Sequence, residues 1–190
     1  MMKRIKAGQR GFTLLELLVT IPIAGLLMAA ATAGLIQLLN SRDASAHMLA
    51  LRQVQTAGFW VSRDGLQAEK ADTITIQPSG SGFPVTFTWT DYTSPNGVVH
   101  KVVYTLVGMT GGGQYQLQRQ ETIGTGSPST MIVARYLLAS AGASDNKTRC
   151  WWHNAYEEDA FAFRVTAQVG DQPVQSRDYE VTPRPQKAPG

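Results

Sequence analysis

The chain has 190 residues, 43% of them apolar, which suits one globular domain plus a membrane segment. Its formal charge of +3 is concentrated at the start: Lys3, Arg4, Lys6 and Arg10 carry positive charge, and without them the remainder stands at −1. A nucleic-acid partner argued from basicity is therefore excluded, because the basic residues form a leader rather than a folded patch. The single cysteine, Cys150, excludes an internal disulfide, so the fold must hold by packing; it reads as a packed thiol, with a bridge between subunits left open.

Met1 to Arg10 is short, basic and polar, and the run from Gly11 to Leu39 (GFTLLELLVTIPIAGLLMAAATAGLIQLL) is apolar with one charge, Glu16. A bilayer core takes about 20 apolar residues in helix, and the basic flank before the run predicts a cytoplasmic N-terminus. A secretory signal would use a core of only roughly 7–15 residues, whereas this run continues past the small residues Ala29 to Ala33 to Leu39. Neither a signal nor a plain anchor explains Glu16, since a carboxylate inside an apolar helix costs about 2.5–3.5 kcal/mol on insertion scales and needs a partner.

Gly11-Phe12-Thr13-Leu14-Leu15-Glu16 resembles the cleavage and methylation motif of type IV prepilins. The resemblance implies cleavage after Gly11 by prepilin peptidase and N-methylation of Phe12. It also implies that Glu16 pairs with the cationic N-terminus of a neighbouring subunit, a match in which each charge offsets the burial of the other. Pro22 departs from the family's aliphatic run; it removes a helix hydrogen bond to Leu18 and is expected to kink or loosen the helix. Ala24, Gly25, Ala29 to Ala31, Ala33 and Gly34 are small enough for close helix approach, and equally fit ordinary membrane-helix composition.

Beyond the membrane run, Met48, Leu51, Val54, Gly58 and Val61 recur at helical spacing, widened by Phe59 and Trp60. The stripe predicts a helix continuing to about Ala71 and packing on a sheet; a site made of Trp60, Arg63 and Asp64 is the competing use. From Asp72 the period becomes two. Ile74 and Ile76, then Val85, Phe87 and Trp89, alternate with polar residues, and further strands are expected at 98–107, 114–121, 130–138, 161–169 and 174–181. Turn residues separate them at 79–82, 95–97, 111–113, 124–128 and 170–171. The expected fold is α+β, a long N-terminal hydrophobic helix packed against a C-terminal antiparallel sheet. The expected organisation is a cleaved leader (1–11), a transmembrane or filament-core helix (12–39), its amphipathic continuation (40–71), a β-rich head (72–183) and a disordered tail (184–190). The run RDYEVTPR from Arg177 to Arg184, and FWVSRD from Phe59 to Asp64, are similar to segments of minor pseudopilins of the J class.

The head carries little chemistry. Cys150, His153, Glu157, Glu158 and Asp159 lie close in sequence, without the spacing of a known metal motif. They read as a solvated acidic loop after a Trp151-Trp152 anchor, with Glu157 and Asp159 as the residues that would meet a hard cation. His47, His100 and His153 stand in no catalytic pattern, Gly111 to Gly113 lack the Lys of a phosphate loop, and Asn146-Lys147-Thr148 is a sequon of a kind common by chance. No catalytic residue, metal site or cofactor is expected. The expected function is that of a minor pilin or pseudopilin that primes or caps a type II secretion pseudopilus or type IV pilus-like filament. Its partners would be prepilin peptidase, other pilin subunits, an inner-membrane assembly platform and the lipid bilayer. The alternatives are a competence minor pilin and a filament-displayed adhesin or binding head.

Overall fold

A computed structural model describes residues 13–68, 74–77, 80–93, 97–139, 146–155 and 158–183. One helix, α1 (Leu14–Gln67), is followed by eight strands: β1 (Ile74–Ile76), β2 (Val85–Asp91), β3 (Val98–Gly108), β4 (Tyr115–Ile123), β5 (Ser129–Leu137), β6 (Arg149–Ala155), β7 (Glu158–Ala167) and β8 (Gln175–Val181). The fold is α+β, as the switch from helical to two-residue period predicts. The chain divides into two compact units, one up to Ala44 and one from Ser45 onward.

In the first unit every described residue is solvent-exposed, including Leu14, Leu15, Leu26, Leu27 and Met28. The helix is uninterrupted through Pro22. The hydroxyls of Thr20 and Thr32 donate to the Leu17 and Met28 carbonyls at 3.2 and 2.8 Å, so both are satisfied within the helix. Among the described residues this is the one helix long and apolar enough to cross a membrane.

In the second unit, residues 45–67 of α1 lie on the antiparallel sheet. The sheet runs β1-β2-β3-β4-β5-β7, with β6 and β8 both paired to β7. Phe163 pairs with Cys150 and with Tyr179, so β6 and β8 occupy opposite edges of β7. β5 joins the same strand through Leu137↔Ala167. A bulge makes this change of partner: the β4–β5 register shifts between Tyr115↔Leu137 and Leu117↔Ala134, and Tyr136 within it has φ 60°. The Arg135 amide donates to Gln53 Oε1 on α1 at 2.8 Å, and the Tyr136 carbonyl accepts from the Gln168 amide at 3.0 Å. The Cys150 amide donates to the Ser81 carbonyl at 2.8 Å, which brings β6 back to the β1–β2 turn and curls the sheet. Gly82 is required there, because its φ is 80° and a Cβ would lie 2.3 Å from the Cys150 carbonyl oxygen.

The helix buries Ala50, Val54, Ala57, Gly58, Val61, Asp64 and Gly65. This stripe differs from the expected one at its start: Met48 is exposed and Leu51 half-buried, while Ala50 and Ala57 face the sheet. The reason is distance. A helix lying close on a sheet of aromatic side chains needs small residues at the contact, so bulk on the helix turns outward. The extreme case is Gly58, where a Cβ would stand 2.0 Å from Cζ of Tyr179, whose hydroxyl donates to the Val54 carbonyl at 3.1 Å. Tyr104, Phe87, Phe161, Phe163 and Tyr179 form a continuous aromatic chain beneath, with centroid separations of 5.9, 5.3, 5.6 and 4.9 Å.

Three further expectations are corrected. The helix ends at Gln67 rather than at Ala71, its last turn closed by the Ala68 amide on the Asp64 carbonyl at 3.3 Å. The segment read as a solvated acidic loop is a β-hairpin: β6 was not expected as a strand, and β7 begins at Glu158 rather than at residue 161. The charges at 157–159 spell a loop, but the period-two order just before them, in which Cys150 and Trp152 turn to the core and pair with Phe163 and Phe161, spells a strand. The tail at 184–190 and Glu157 lie outside the described residues.

Candidate assembly segment and buried charge cluster

Two places gather functional chemistry. The first is the start of α1. Thr13 precedes the helix, and its amide and hydroxyl both donate to Glu16 Oε2, at 3.2 and 3.1 Å, while the Glu16 amide donates back to Thr13 Oγ1 at 3.3 Å. This is a capping box: Thr13 satisfies one orphan amide of the first turn, and Glu16 holds Thr13 and sets negative charge at the positive end of the helix. Within one chain Glu16 therefore has local partners, beside the neighbour that membrane cost alone implies. The signal was Thr13-Leu14-Leu15-Glu16, the T-x-x-E spacing before an apolar run. Gly11 and Phe12 lie outside the described residues.

The second place joins α1, β3 and β4. Asp64 is fully buried and receives Arg119 through Nε at 2.6 Å and Nη2 at 3.3 Å, and the Tyr104 hydroxyl at 2.5 Å. Tyr104 and Arg119 are cross-strand partners, so register places both donors under one carboxylate. Arg119 also donates to Glu121 at 2.8 Å, Glu121 meets His100 Nδ1 at 3.4 Å, and His100 stacks on Trp89 at 5.1 Å. The guanidinium carbons of Arg63 and Arg119 lie 4.6 and 5.3 Å from the Trp60 ring centroid.

Burial, with the Asp64 charge behind it, pushes the Tyr104 phenol well above its ordinary range and keeps it a donor. Burial alone would lower the Arg119 guanidinium, but its hydrogen bonds to Asp64 and Glu121 outweigh that and hold it charged. Arg119 beside it holds the Glu121 carboxyl below its usual range. The three central groups are saturated by one another, and their chemistry is that of a lock between helix and sheet. Trp60, Arg63 and Asp64 are thus brought together, but around Arg119 and Tyr104, which sequence reasoning missed. Strand parity carried the signal: Arg119 falls two residues from Leu117 on the core face, and a buried guanidinium needs a buried carboxylate.

The other candidates are dispersed. His47 meets Gln175 at 3.4 Å and His153 meets Glu180 at 3.3 Å. Cys150 is buried, and burial pushes its thiol far above the usual range, which makes it a packing residue. Asp159 sits on β7 opposite Asn154. Among the described residues no group of three or more His, Cys, Asp or Glu is arranged to hold a metal ion.

Residues 6–32 match the family of the prokaryotic N-terminal methylation motif. The match supports a type IV pilin-like family. Proteins carrying this pilin-like motif are structural rather than catalytic, are processed by prepilin peptidase and assemble with other pilins. The apolar helix bearing the motif is consistent with inner-membrane anchoring and incorporation in a filament. No curated protein and no solved structure matches the chain.

Proposed function

We propose that the chain is a minor pilin or pseudopilin, nearest to the J class, that helps prime or cap a type II secretion pseudopilus or a related filament. It is inserted with its N-terminus cytoplasmic and its head outside the cytoplasm, cut after Gly11 and N-methylated at Phe12. It is then drawn by an assembly platform into a filament held by helix bundling. The observation that carries this reading is the coincidence of the methylation motif over 6–32 with a helix whose apolar side chains are exposed on every side. Such a helix has no partner within its own unit and requires lipid or other helices. Glu16 would exchange the Thr13 hydroxyl for a neighbour's cationic amine, a stronger, charge-assisted bond in low dielectric.

Mass spectrometry of the mature N-terminus tests the processing step. A methylated Phe12 start is expected; an uncut Met1, or a start near Thr32, overturns the reading. Glu16→Ala tests the pairing step: cleavage survives while recovery in sheared filaments falls by about tenfold or more, since one charged partner is left buried alone. Normal incorporation of that variant would remove the pairing role.

A further inference from the structure

The outer face of β6, β7 and β8, opposite the aromatic core, forms a trough. On β7 the inward residues Phe161, Phe163 and Val165 are buried in the core, so Ala160 and Ala162 lie on the other face by strand alternation. Ala162 pairs with Trp151 on one side and Glu180 on the other. Two alanines, only 4% and 5% exposed between the taller residues on either side, thus make the floor. A pocket of about 290 Å³ results, lined by Trp151, His153, Ala162, Asp178, Tyr179 and Glu180. Trp151 also lines a second pocket of about 330 Å³ with Gln77, Arg149 and Trp152. The Arg149 guanidinium carbon lies 4.6 Å from the Trp151 ring centroid.

The polar groups of the trough are paired with one another. Asp178 accepts Arg164 Nε and Nη2 at 2.5 and 2.7 Å, Arg164 donates to Asn146 at 2.9 Å, and His153 meets Glu180 across the floor at 3.3 Å. Arg164 holds the Asp178 carboxyl below its usual range, so it stays ionised and paired. Three consequences select the ligand. The Asp178 and Glu180 carboxylates are balanced by the Arg164 and Arg149 guanidiniums, which disfavours an ionic guest. Both edges of β7 beside Ala162 are occupied, so no peptide can add to β7 as a strand over the floor. What is left is an aromatic plate beside planar polar groups, each with further lone pairs or N–H groups.

We propose that this trough is a binding site for a neutral saccharide. A pyranose ring would lay its apolar C–H face on the Trp151 indole, and its hydroxyls would donate to Asp178 and Glu180. The site is independent of the motif at 6–32 and stands whether or not the chain assembles.

The test is saturation-transfer NMR on the full chain in a detergent without a sugar headgroup, with maltose, cellobiose, lactose and diacetylchitobiose as probes and a tetralysine peptide as the charged comparison. At least one disaccharide should bind, with an affinity that does not change between low and about 1 M salt, where charge attraction is screened. Trp151→Ala should weaken it by about tenfold or more. Ala162→Leu fills the floor between Trp151 and Glu180 and should abolish binding in a variant whose thermal melt matches the wild type, which decides the matter if Trp151→Ala unfolds. Phe59→Ala, on the exposed helix surface, should bind as wild type. Binding to none of the four disaccharides, binding equal in the wild type and Ala162→Leu, or salt-sensitive binding of tetralysine alone would each overturn the proposal.

Discussion

The two parts of α1 make the instructive contrast. Residues 14–44 carry large aliphatic side chains on every side and bury none of them, whereas residues 45–67 bury a narrow stripe of Ala, Gly, Val and Asp. Around Gly25 and Gly34 a Cβ would meet nothing within 4 Å, while at Gly58 it would enter the Tyr179 ring. The same secondary structure therefore answers two environments. The first part is composed for surroundings outside its own unit, the second for one sheet. A substitution in the second part should act on the stability of the head, and one in the first part should act on membrane insertion and assembly.

The largest test of that division is Asp64→Ala. It strands Arg119 with its main partner gone and should destabilise the head by about 3–5 kcal/mol in denaturant unfolding. A double Asp64→Leu, Arg119→Met variant should recover much of the loss, since removing both charges removes the unpaired one. Next is Gly58→Val, which forces Tyr179 aside and breaks its bond to the Val54 carbonyl; a loss of about 1–3 kcal/mol is expected. Gly34→Ala should leave the melting of the head unchanged, and an equal loss at both glycines would break the contrast.

A third test is pH. The Glu121 carboxyl lies below its ordinary value of 4.5 in the folded state, so folding releases it from protonation. Its contribution is present above about pH 4.5 and is lost as pH falls through the lower folded value. Thermal melts between about pH 3 and 7 should show a flatter acid limb in Glu121→Gln than in the wild type. The smallest effect belongs to Thr13→Val. Loss of the cap should weaken the first turn by about 1 kcal/mol, read as faster amide exchange at Leu15 to Leu17, with no change in the head.

The local periods of the chain were legible. Seven of the strands follow from alternation and turn residues, and the apolar helix with its motif follows from composition and spacing. The missed strand, β6, shows where that reading stops. Arg149 to Ala155 alternates correctly, but the acidic residues beside it argued for a loop, and only pairing with β7 decides between them. The Glu16 capping box is present in the spelling Thr-x-x-Glu, while the cost of a membrane carboxylate points to a partner elsewhere.

By itself, the sequence determined the segment that carries the methylation motif and the alternation of elements, because each depends on residues within one turn or one strand of each other. The tertiary structure decided what depends on distant neighbours. It chose Ala50 and Ala57 over Met48 and Leu51 for the sheet, because the available gap sets which side chains fit. It joined Asp64 to Arg119 across 55 positions of chain, because the β3–β4 register puts two donors beneath one carboxylate. It also laid Trp151, Ala162 and Glu180 in one row across three strands, a juxtaposition that exists only once β6 and β8 have both found β7.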